Sequence, residues 1–342
     1  MSEVKKILVT GGAGFIGAHT VVELVNSGYE TVIVDDLSRS DRTLLEGIEK
    51  VTGKKIDFFQ GDCTDKSFLQ KIFKTSGGFS AVLHFAAYKS VGESVEKPLD
   101  YYRNNVGSLI TLLEVMKEFD VSDLIFSSSC TVYGQPDVIP VDEKAPFKRA
   151  ESPYGATKQF CERVLEDTFA QGFRIISLRY FNPIGAHPSA LLGELPVGPP
   201  NNLVPYITQT AAGVREKLTV FGNDYNTPDG SCLRDFIHVV DLAQAHVKAM
   251  EYLAAGPANP LFEAFNVGSG IGVSVLQLID KFMKVSGVDL PFVIGPRRSG
   301  DVEKVYADPA KVNRAFKWKT KMSIEESLLH AWQWEKKIRN IV

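Results

Sequence analysis

The 342-residue chain has little cysteine, no excess of basic residues and no long apolar run. Its four cysteines, Cys63, Cys130, Cys161 and Cys232, are too far apart for a CxxC pair or a disulfide scaffold. A formal net charge of −3 argues against nucleic acid or an anionic membrane as the main partner. The first β-type run, Ile7–Thr10, is too short for a signal peptide or a membrane span. We therefore expect a cytoplasmic protein without a metal site, a membrane anchor or nucleic acid.

Composition and length are those of an ordinary globular protein. Hydrophobic residues make up 44% and charged residues 23%, which excludes a disordered or fibrous chain. The chain is longer than one typical domain of about 100–200 residues. We expect one large domain that carries a smaller one.

Strand-like and helix-like patterns alternate through the first half of the chain. The predicted strands are Lys6–Thr10, Thr31–Val34, Asp57–Phe59, Ala81–Phe85, Leu124–Ser128 and Arg174–Arg179. The predicted helices between them are Phe15–Ser27, Ser67–Lys74, Pro98–Phe119 and Lys158–Ala170. Several strands are apolar at consecutive positions, as in a parallel sheet that is buried on both faces. The pattern predicts an α/β fold with a Rossmann-type doubly wound parallel sheet.

The pattern changes after Phe181. Residues 182–235 are rich in proline, glycine and asparagine, and residues 291–305 are again irregular. A helix over Val240–Ala254 and a strand over Phe265–Val267 are predicted to return to the sheet, and Ile324–Arg339 is predicted to be a closing helix. We expect a nucleotide-binding domain over residues 1–181, with 236–268 returning to it. Residues 182–235 and 269–342 would form a discontinuous substrate-binding cap.

A glycine-rich turn follows the first strand, in the run Gly11-Gly12-Ala13-Gly14-Phe15-Ile16-Gly17. Such a turn lets backbone N–H groups approach a pyrophosphate at a helix N-terminus, although a plain turn would have the same spacing. Asp35 and Asp36 end the next strand, where a carboxylate binds the adenosine ribose and disfavours a 2′-phosphate. The sequence therefore favours NAD over NADP. Arg39 and Arg42 would soften that preference, and Asp35 could instead be a strand-end cap.

Two further strand ends suit the same cofactor. Asp62-Cys63 follows the third strand, where the adenine edge would lie. Phe85-Ala86-Ala87 follows the fourth, where small residues let the backbone approach the pyrophosphate or ribose. Lys89 lies just beyond and would, taken alone, be an ordinary surface lysine.

A serine, a tyrosine and a lysine have the spacing of a proton-transfer site. Ser127–Ser129 ends the fifth strand. Tyr154 and Lys158 are four residues apart, and on a helix that spacing places two side chains on one face. A nearby ammonium lowers the pKa of a phenol, and a phenolate can remove a proton from a sugar hydroxyl as hydride leaves. The serine hydroxyl would bridge the tyrosine and the substrate.

These motifs resemble the UDP-galactose 4-epimerases (UDP-glucose 4-epimerases) of the extended short-chain dehydrogenase/reductase family. The similar segments are TGGAGFIG (10–17), HFAAYKSVGES (84–94), FSSSCTVYG (126–134), YGATK (154–158), RYFNPIGAHPS (179–189), NNLVPY (201–206), FGNDYNTPDG (221–230) and RDFIHVVDLA (234–243). The resemblance spans nearly the whole chain, and the segments after residue 179 are typical of the epimerases.

The resemblance implies a role for each matching residue. The catalytic residues would be Ser129, Tyr154 and Lys158. The NAD site would comprise Gly11, Gly14, Phe15, Ile16, Gly17, Asp35, Asp36, Asp62, Cys63, Phe85, Ala86, Ala87, Lys89, Asn104, Ser127, Tyr154, Lys158 and Tyr180. The substrate site would comprise Lys89, Ser129, Tyr154, Phe181, Asn182, Asn202, Leu203, Phe221, Arg234, Arg298, Asp301 and Val305. Taken alone, Arg234 could instead pair with Asp235 or Asp241.

The resemblance also implies the reaction. UDP-galactose and UDP-glucose would be interconverted, in galactose metabolism, by NAD-dependent oxidation at sugar carbon-4, rotation of the 4-keto sugar and re-reduction. Relatives are commonly homodimers, and Pro98–Phe119 and Lys158–Ala170 are candidate interface helices.

Two positions depart from the family pattern. Asp36 replaces a frequent asparagine, which adds a charge near the ribose. Val305 lies where a tyrosine is associated with exclusion of a 2-acetamido group. We hypothesise that Val305 admits UDP-N-acetylglucosamine (UDP-GlcNAc) and UDP-N-acetylgalactosamine (UDP-GalNAc). Alternatively, valine is a packing residue and another side chain closes the pocket.

Other functions remain open at this point. A nucleotide-sugar dehydratase needs carboxylates just after the active-site serine, whereas Cys130-Thr131-Val132 follows Ser129. A UDP-sugar decarboxylase would need a cation for the uronate, which the sequence does not place. A non-catalytic NAD-binding regulator would not need the serine, tyrosine and lysine together.

Overall fold

The computed structural model describes residues 5–256, 259–298 and 301–341. The expectation that the start of the chain is too short in apolar residues for a signal peptide rests partly on residues 1–4, which lie outside the described residues. The strands are β1 (Lys6–Thr10), β2 (Glu30–Asp35), β3 (Asp57–Gln60), β4 (Ala81–His84), β5 (Asp123–Ser129), β6 (Arg174–Tyr180), β7 (Asn182–Ile184), β8 (Leu218–Phe221), β9 (Leu233–His238), β10 (Leu261–Val267), β11 (Gly272–Ser274), β12 (Phe292–Gly295) and β13 (Lys304–Val305).

The helices cover both faces of the sheet formed by the early strands. They are α1 (Phe15–Asn26), α2 (Arg42–Thr52), α3 (Lys66–Thr75), α4 (Val91–Glu96), α5 (Pro98–Tyr101), α6 (Gly107–Glu118), α7 (Pro153–Thr168), α8 (Leu203–Ala211), α9 (Val239–Ala255), α10 (Val275–Ser286), α11 (Ala310–Phe316) and α12 (Ile324–Ile338). Within the described residues, no helix is long and apolar enough to cross a membrane.

Seven parallel strands form the large sheet, in the order β10-β6-β5-β4-β1-β2-β3. The chain order reverses between β1 and β4, where Thr10 is paired with Val34 on one side and His84 on the other. In such sheets a crevice opens beyond the carboxyl ends of the strands at this reversal. The predicted doubly wound parallel sheet is confirmed.

Consecutive apolar residues in β1 enter two different cores. Ile7 and Val9 pack on one face with residues of α1 and α9, whereas Leu8 packs on the other with residues of α3, α6 and α7. Because alternate side chains of a strand point to opposite faces, both faces of the sheet must be covered. The unbroken apolar run is explained by this double burial.

Two smaller sheets lie in the later part of the chain. In one, β9 is paired with β7, β11 and β13, and in the other β8 is paired with β12. Strand β9 thus belongs to a small sheet, while β10 joins the large sheet beside β6. Strands β8 and β12 and helix α8 fall in stretches that the sequence predicted to be irregular.

Helix boundaries differ from the predictions where side chains cap the helix. Ser152 accepts a hydrogen bond from the Gly155 N–H at 3.2 Å, so α7 begins at Pro153 and not at Lys158. Asp41 caps α2 by accepting from the Thr43 N–H at 2.8 Å, and this helix was not predicted. The sequence predicted one helix over Pro98–Phe119. In the structure this stretch consists of α5, a π-helical turn over Tyr102–Val106, and α6.

Candidate active site

One pocket lies at the carboxyl ends of the parallel strands, beside the point where the strand order reverses. All the residues predicted to bind the cofactor line it, although the chain separates them by up to 169 positions, from Gly11 to Tyr180. They are Gly11, Gly14, Phe15, Ile16, Gly17, Asp35, Asp36, Asp62, Cys63, Phe85, Ala86, Ala87, Lys89, Asn104, Ser127, Tyr154, Lys158 and Tyr180.

The glycine turn leaves room for a ligand because it has no side chains to fill the space. Gly11 has φ of +73°, and a Cβ there would lie 2.6 Å from the backbone nitrogen of Ala86. A Cβ on Gly17 would lie 2.3 Å from the carbonyl oxygen of Gly11. Gly14 caps α1 without a side-chain hydrogen bond, and the first turn of α1 carries no acidic residue. The cradle therefore suits an anionic group at the N-terminus of α1, as in a dinucleotide.

Asp35 lines this pocket and also holds the glycine turn in place. Its carboxylate accepts hydrogen bonds from the Ala13 N–H at 3.1 Å, the Leu37 N–H at 3.0 Å and the Ser40 hydroxyl at 2.7 Å. Burial raises the pKa of Asp35, and these hydrogen bonds oppose that rise. Asp35 therefore both caps the end of β2 and lines the pocket.

Both arginines near Asp35 have other partners. Arg39 donates to Glu93 at 2.8 Å and lies over the Tyr88 ring, and Arg42 donates to Gln60 at 2.7 Å. Their guanidinium groups are therefore engaged in protein contacts.

The serine, tyrosine and lysine come together at the end of β5. Ser129 is paired with Tyr180 across β5 and β6, and Tyr154 and Lys158 lie on the first turns of α7. The Lys158 ammonium donates to the Ser127 carbonyl at 2.6 Å and lies 6.0 Å from the centroid of the Tyr154 ring. The arrangement places a phenol and an ammonium on one wall of the pocket.

Burial dominates the acid–base properties of this pair. It raises the pKa of Tyr154 to about 12, against which a hydrogen bond with Ser129 acts, and it lowers the pKa of Lys158 to about 8. The expectation that Lys158 lowers the pKa of Tyr154 is therefore wrong for the protein alone. The ammonium is bonded to the Ser127 carbonyl, and the cost of burying a phenolate is larger than its effect.

The Tyr180 hydroxyl is held by a hydrogen bond to a buried histidine. Its hydroxyl lies 2.5 Å from Nε2 of His246, whose Nδ1 is 2.8 Å from the Leu242 carbonyl oxygen. That carbonyl can only accept, so Nδ1 carries the proton and Nε2 accepts from Tyr180. Burial lowers the pKa of His246 to about 4, which keeps the imidazole neutral. No motif or spacing in the sequence indicated that His246 lies at this site.

Five of the predicted substrate residues form a second cluster in and beside the two smaller sheets. Arg234 and Arg298 both pair with Asp301, at 3.7 Å and 2.7 Å. The Arg298 guanidinium lies 5.7 Å from the centre of the Phe221 ring, and Val305 is paired with Arg234 across β13 and β9. The cluster offers two arginine forks beside an aromatic face.

Neither neighbouring aspartate is the partner of Arg234. The Asp235 carboxylate accepts from the Ser269, Gly270 and Ala307 backbone N–H groups. The Asp241 carboxylate accepts from two backbone N–H groups of residues 321 and 322. Both aspartates bind backbone N–H groups of loops. The carboxylate that pairs with Arg234 is that of Asp301.

The remaining substrate residues lie at the end of β6 and at the start of α8. Phe181 and Asn182 follow β6 directly, and the buried Oδ1 of Asn182 has no hydrogen-bond partner. Asn202 lines the pocket at the start of α8, immediately before Leu203. A buried acceptor without a partner is costly, which favours a ligand donor at Asn182.

Sequence reasoning missed the loop that borders the pocket from Glu194 to Asn201. Glu194, Leu195, Pro196, Val197, Pro199 and Asn201 line the same pocket as the glycine turn. The only signal was the prolines, which indicate a loop but not what it covers. Among the described residues, no group of histidine, cysteine, aspartate or glutamate could hold a metal ion.

Comparison with known proteins defines the class. Residues 7–268 match the model of the NAD dependent epimerase/dehydratase family. The chain belongs to this family, as the parallel sheet and glycine turn indicate.

Two similar proteins and one similar solved structure carry the name UDP-glucose 4-epimerase. The one from Schizosaccharomyces pombe is 49% identical, over 97% of this chain and 94% of the relative. The one from Bacillus subtilis is 47% identical over 96% of both chains. The crystal structure of UDP-glucose 4-epimerase from Bifidobacterium longum in complex with NAD+ and UDP is 42% identical, has a TM-score of 0.94, and is matched over 98% of this chain and 100% of that one.

Proposed function

We propose that this chain interconverts UDP-galactose and UDP-glucose with NAD as a bound cofactor. The observation that carries the proposal is a single pocket in which a dinucleotide cradle meets Tyr154 and Lys158. Similarity over nearly the full length to UDP-glucose 4-epimerases supports the same reaction.

Residues at the strand ends would hold NAD. The glycine turn would receive the pyrophosphate, and Asp35 would face the adenosine ribose. Asp62 and Cys63 would border the adenine, while Tyr180 would line the nicotinamide end. Lys89 and Asn104 would contact the middle of the cofactor.

Tyr154 would be the base that takes the proton of the sugar 4-hydroxyl, and Ser129 would bridge the two oxygens. When bound, oxidised NAD supplies the hydride acceptor for sugar carbon-4 and a positive charge that favours the Tyr154 phenolate. Burial raises the pKa of Tyr154 in the protein alone, and the charge of the cofactor would oppose that rise.

The arginine cluster would anchor UDP while the sugar turns. Arg234 and Arg298 have the fork geometry that binds a diphosphate, and Asp301 orients both of them. Phe221 would lie against the uracil. With UDP held at one end, the 4-keto sugar can present its other face, and return of hydride then inverts carbon-4.

A dehydratase is the weaker alternative. The three residues after Ser129 lie in a 3₁₀ turn over Cys130–Tyr133 and include no carboxylate to eliminate water. A decarboxylase would need a cation for the uronate, which the sequence does not place. A non-catalytic NAD-binding regulator would leave Tyr154, Lys158 and Ser129 at one strand end without an evident purpose.

We also propose that UDP-GlcNAc and UDP-GalNAc are substrates. Val305 is buried in a small apolar cluster with Val132, Tyr133 and Phe181. It also neighbours Arg234 in the cap sheet. A larger aromatic side chain at this position would take up more volume beside Arg234 than valine does.

The proposal extends to the division of the chain into domains, its compartment and its oligomeric state. Residues 1–181, with 236–268, would form the NAD domain, and 182–235 with 269–342 the UDP-sugar cap.

The four free cysteines suit a reducing cytoplasm. Exposed Leu99, Ile110 and Phe160 suit a homodimer built on α5, α6 and α7.

The test is turnover of UDP-galactose by the purified protein without added NAD. We expect UDP-glucose to form, and we expect Tyr154→Phe to lose about 10²-fold or more of the rate while it retains NAD. Tyr252→Phe is the matched control, because that tyrosine lies on α9 and does not line the pocket.

Two outcomes would contradict the proposal. No UDP-glucose from the unaltered protein would exclude the function. A Tyr154→Phe variant with the full rate would exclude the tyrosine as the base.

A further inference from the structure

Glu194 joins two parts of the pocket that the chain and the sheets keep apart. Its Oε1 lies 3.0 Å from the Lys89 ammonium and 2.6 Å from the Asn202 amide nitrogen. Lys89 follows β4 of the large sheet, and Asn202 precedes α8. One carboxylate oxygen thus accepts from both sides of the pocket.

The backbone at Glu194 is fixed by a third segment. Its carbonyl oxygen accepts from the indole N–H of Trp334, on α12, at 2.9 Å. A Cβ on the preceding Gly193 would lie 2.4 Å from the Trp334 ring, so backbone and indole are in close contact. The side chain of Glu194 therefore extends from a position that Trp334 holds.

Glu194 also determines how Asn202 is oriented. An ionised carboxylate can only accept, so the amide must turn its NH₂ group toward Glu194. Asn202 makes no side-chain cap with α8, so α8 does not orient it. This leaves the second N–H of Asn202 and the first backbone N–H groups of α8 available to an anionic ligand.

The charge of Glu194 has a partner in Lys89. The carboxylate is 12% exposed, whereas the lysine is 57% exposed. An unpaired carboxylate here would repel phosphate groups, and the ion pair removes much of that repulsion. Lys89 is thereby held over the pocket although its side chain is largely in solvent.

We propose that Glu194 is a positioning residue that ties Lys89 to Asn202 and so keeps the cofactor and UDP-sugar sites at a fixed separation. The inference rests on the proposed function for the identity of the two ligands. Glu194 is not required to touch either of them.

The experiment compares Glu194→Gln and Glu194→Ala with the unaltered holoenzyme. Glutamine keeps the size and one acceptor but removes the charge, and alanine removes the connection. We expect the Kd for UDP and the KM for UDP-galactose to rise about tenfold in the alanine variant, the effect of one lost charge-assisted hydrogen bond. We expect kcat with NAD saturating to change less than about threefold, and NAD to be released faster on gel filtration.

A double variant separates positioning from general destabilisation. If Glu194 acts through Asn202, Glu194→Ala combined with Asn202→Ala binds UDP no more weakly than Asn202→Ala alone. Glu114→Gln is the control, since that glutamate forms a surface pair with Lys66 and lies outside the pocket. It should leave UDP binding and NAD release unchanged.

Unchanged UDP affinity and NAD release in Glu194→Ala would overturn the inference, even if the melting temperature falls. Strictly additive losses in the double variant would also overturn it. Turnover by the unaltered protein tests the proposed function separately, because UDP affinity and NAD release are measured without turnover.

Discussion

At the scale of single residues, Val305 is the position where a side chain is expected to set substrate range. It is 5% exposed and packs against Phe181, Val132 and Tyr133. Its strand neighbour Arg234 belongs to the cluster that would hold UDP. The size of this one side chain therefore bears on the space available beside the sugar.

Val305→Tyr should narrow the substrate range. We expect turnover of UDP-GalNAc to fall about tenfold or more, because the ring takes the volume of the acetamido group, while turnover of UDP-galactose stays within about threefold. Parallel assays of both substrates check this, with Val305→Ala as the control that keeps both activities. If the unaltered protein turns over UDP-galactose but not UDP-GalNAc, Val305 is only a packing residue.

At the scale of elements, the turn between β1 and α1 depends on the absence of side chains. Gly17 lies against the Gly11 carbonyl, and Gly11 lies against Ala86 at the end of β4. Three segments thus meet within van der Waals distance. This closeness forms the floor on which a pyrophosphate would lie.

Gly17→Ala should damage this turn. The added methyl would lie 2.3 Å from the Gly11 oxygen, so the turn must move away from α1. We expect the variant to lose bound NAD and to unfold with a free energy lower by about 1–3 kcal/mol. Cofactor content and urea unfolding measure the two effects.

Gly107→Ala provides the control within a helix. Nothing lies within 4 Å of a Cβ at Gly107 in α6, so alanine should be tolerated or stabilise the helix by up to about 1 kcal/mol. Equal NAD content in the Gly17 and Gly107 variants would show that the turn does not need its glycine.

At the scale of the whole molecule, one surface carries several exposed apolar side chains on neighbouring helices. Leu99 is 73% exposed and Phe160 54%, and the Phe160 ring lies 5.8 Å from that of Tyr102. These residues belong to the helices α5 to α7 that the sequence singled out. Their burial between two copies would remove apolar surface from water.

Phe160→Glu should convert the proposed homodimer into a monomer, since each copy would then bury an unpaired carboxylate in the interface. Sedimentation equilibrium should show about half the mass of the unaltered protein, and Leu99→Glu should have the same effect. Val214→Glu, at a residue 48% exposed on another surface, should not. A monomeric unaltered protein would contradict the proposed dimer.

Local patterns in the sequence were enough for the large sheet and its glycine turn. The apolar runs in β1, β2 and β4 have few alternatives, because a strand buried on both faces is apolar at consecutive positions. The spacing of Tyr154 and Lys158 indicated a shared helix face, but the predicted helix began only at Lys158, whereas α7 begins at Pro153 and carries both residues. Patterns were weaker after Phe181, where α8, β8 and β12 are short and depend on pairing partners far along the chain.

By itself, then, the sequence determined the fold class through short-range patterns. The resemblance of its motifs supplied the predicted site residues, but not the loop from Glu194 to Asn201 that borders the same pocket. Tertiary structure alone decided the contacts of Glu194, the histidine behind Tyr180 and the partner of Arg234. It also decided that the pKa of Tyr154 is raised by burial and not lowered by Lys158. The reason is that desolvation and hydrogen bonding depend on what surrounds a group in space, and those neighbours lie far from it along the chain.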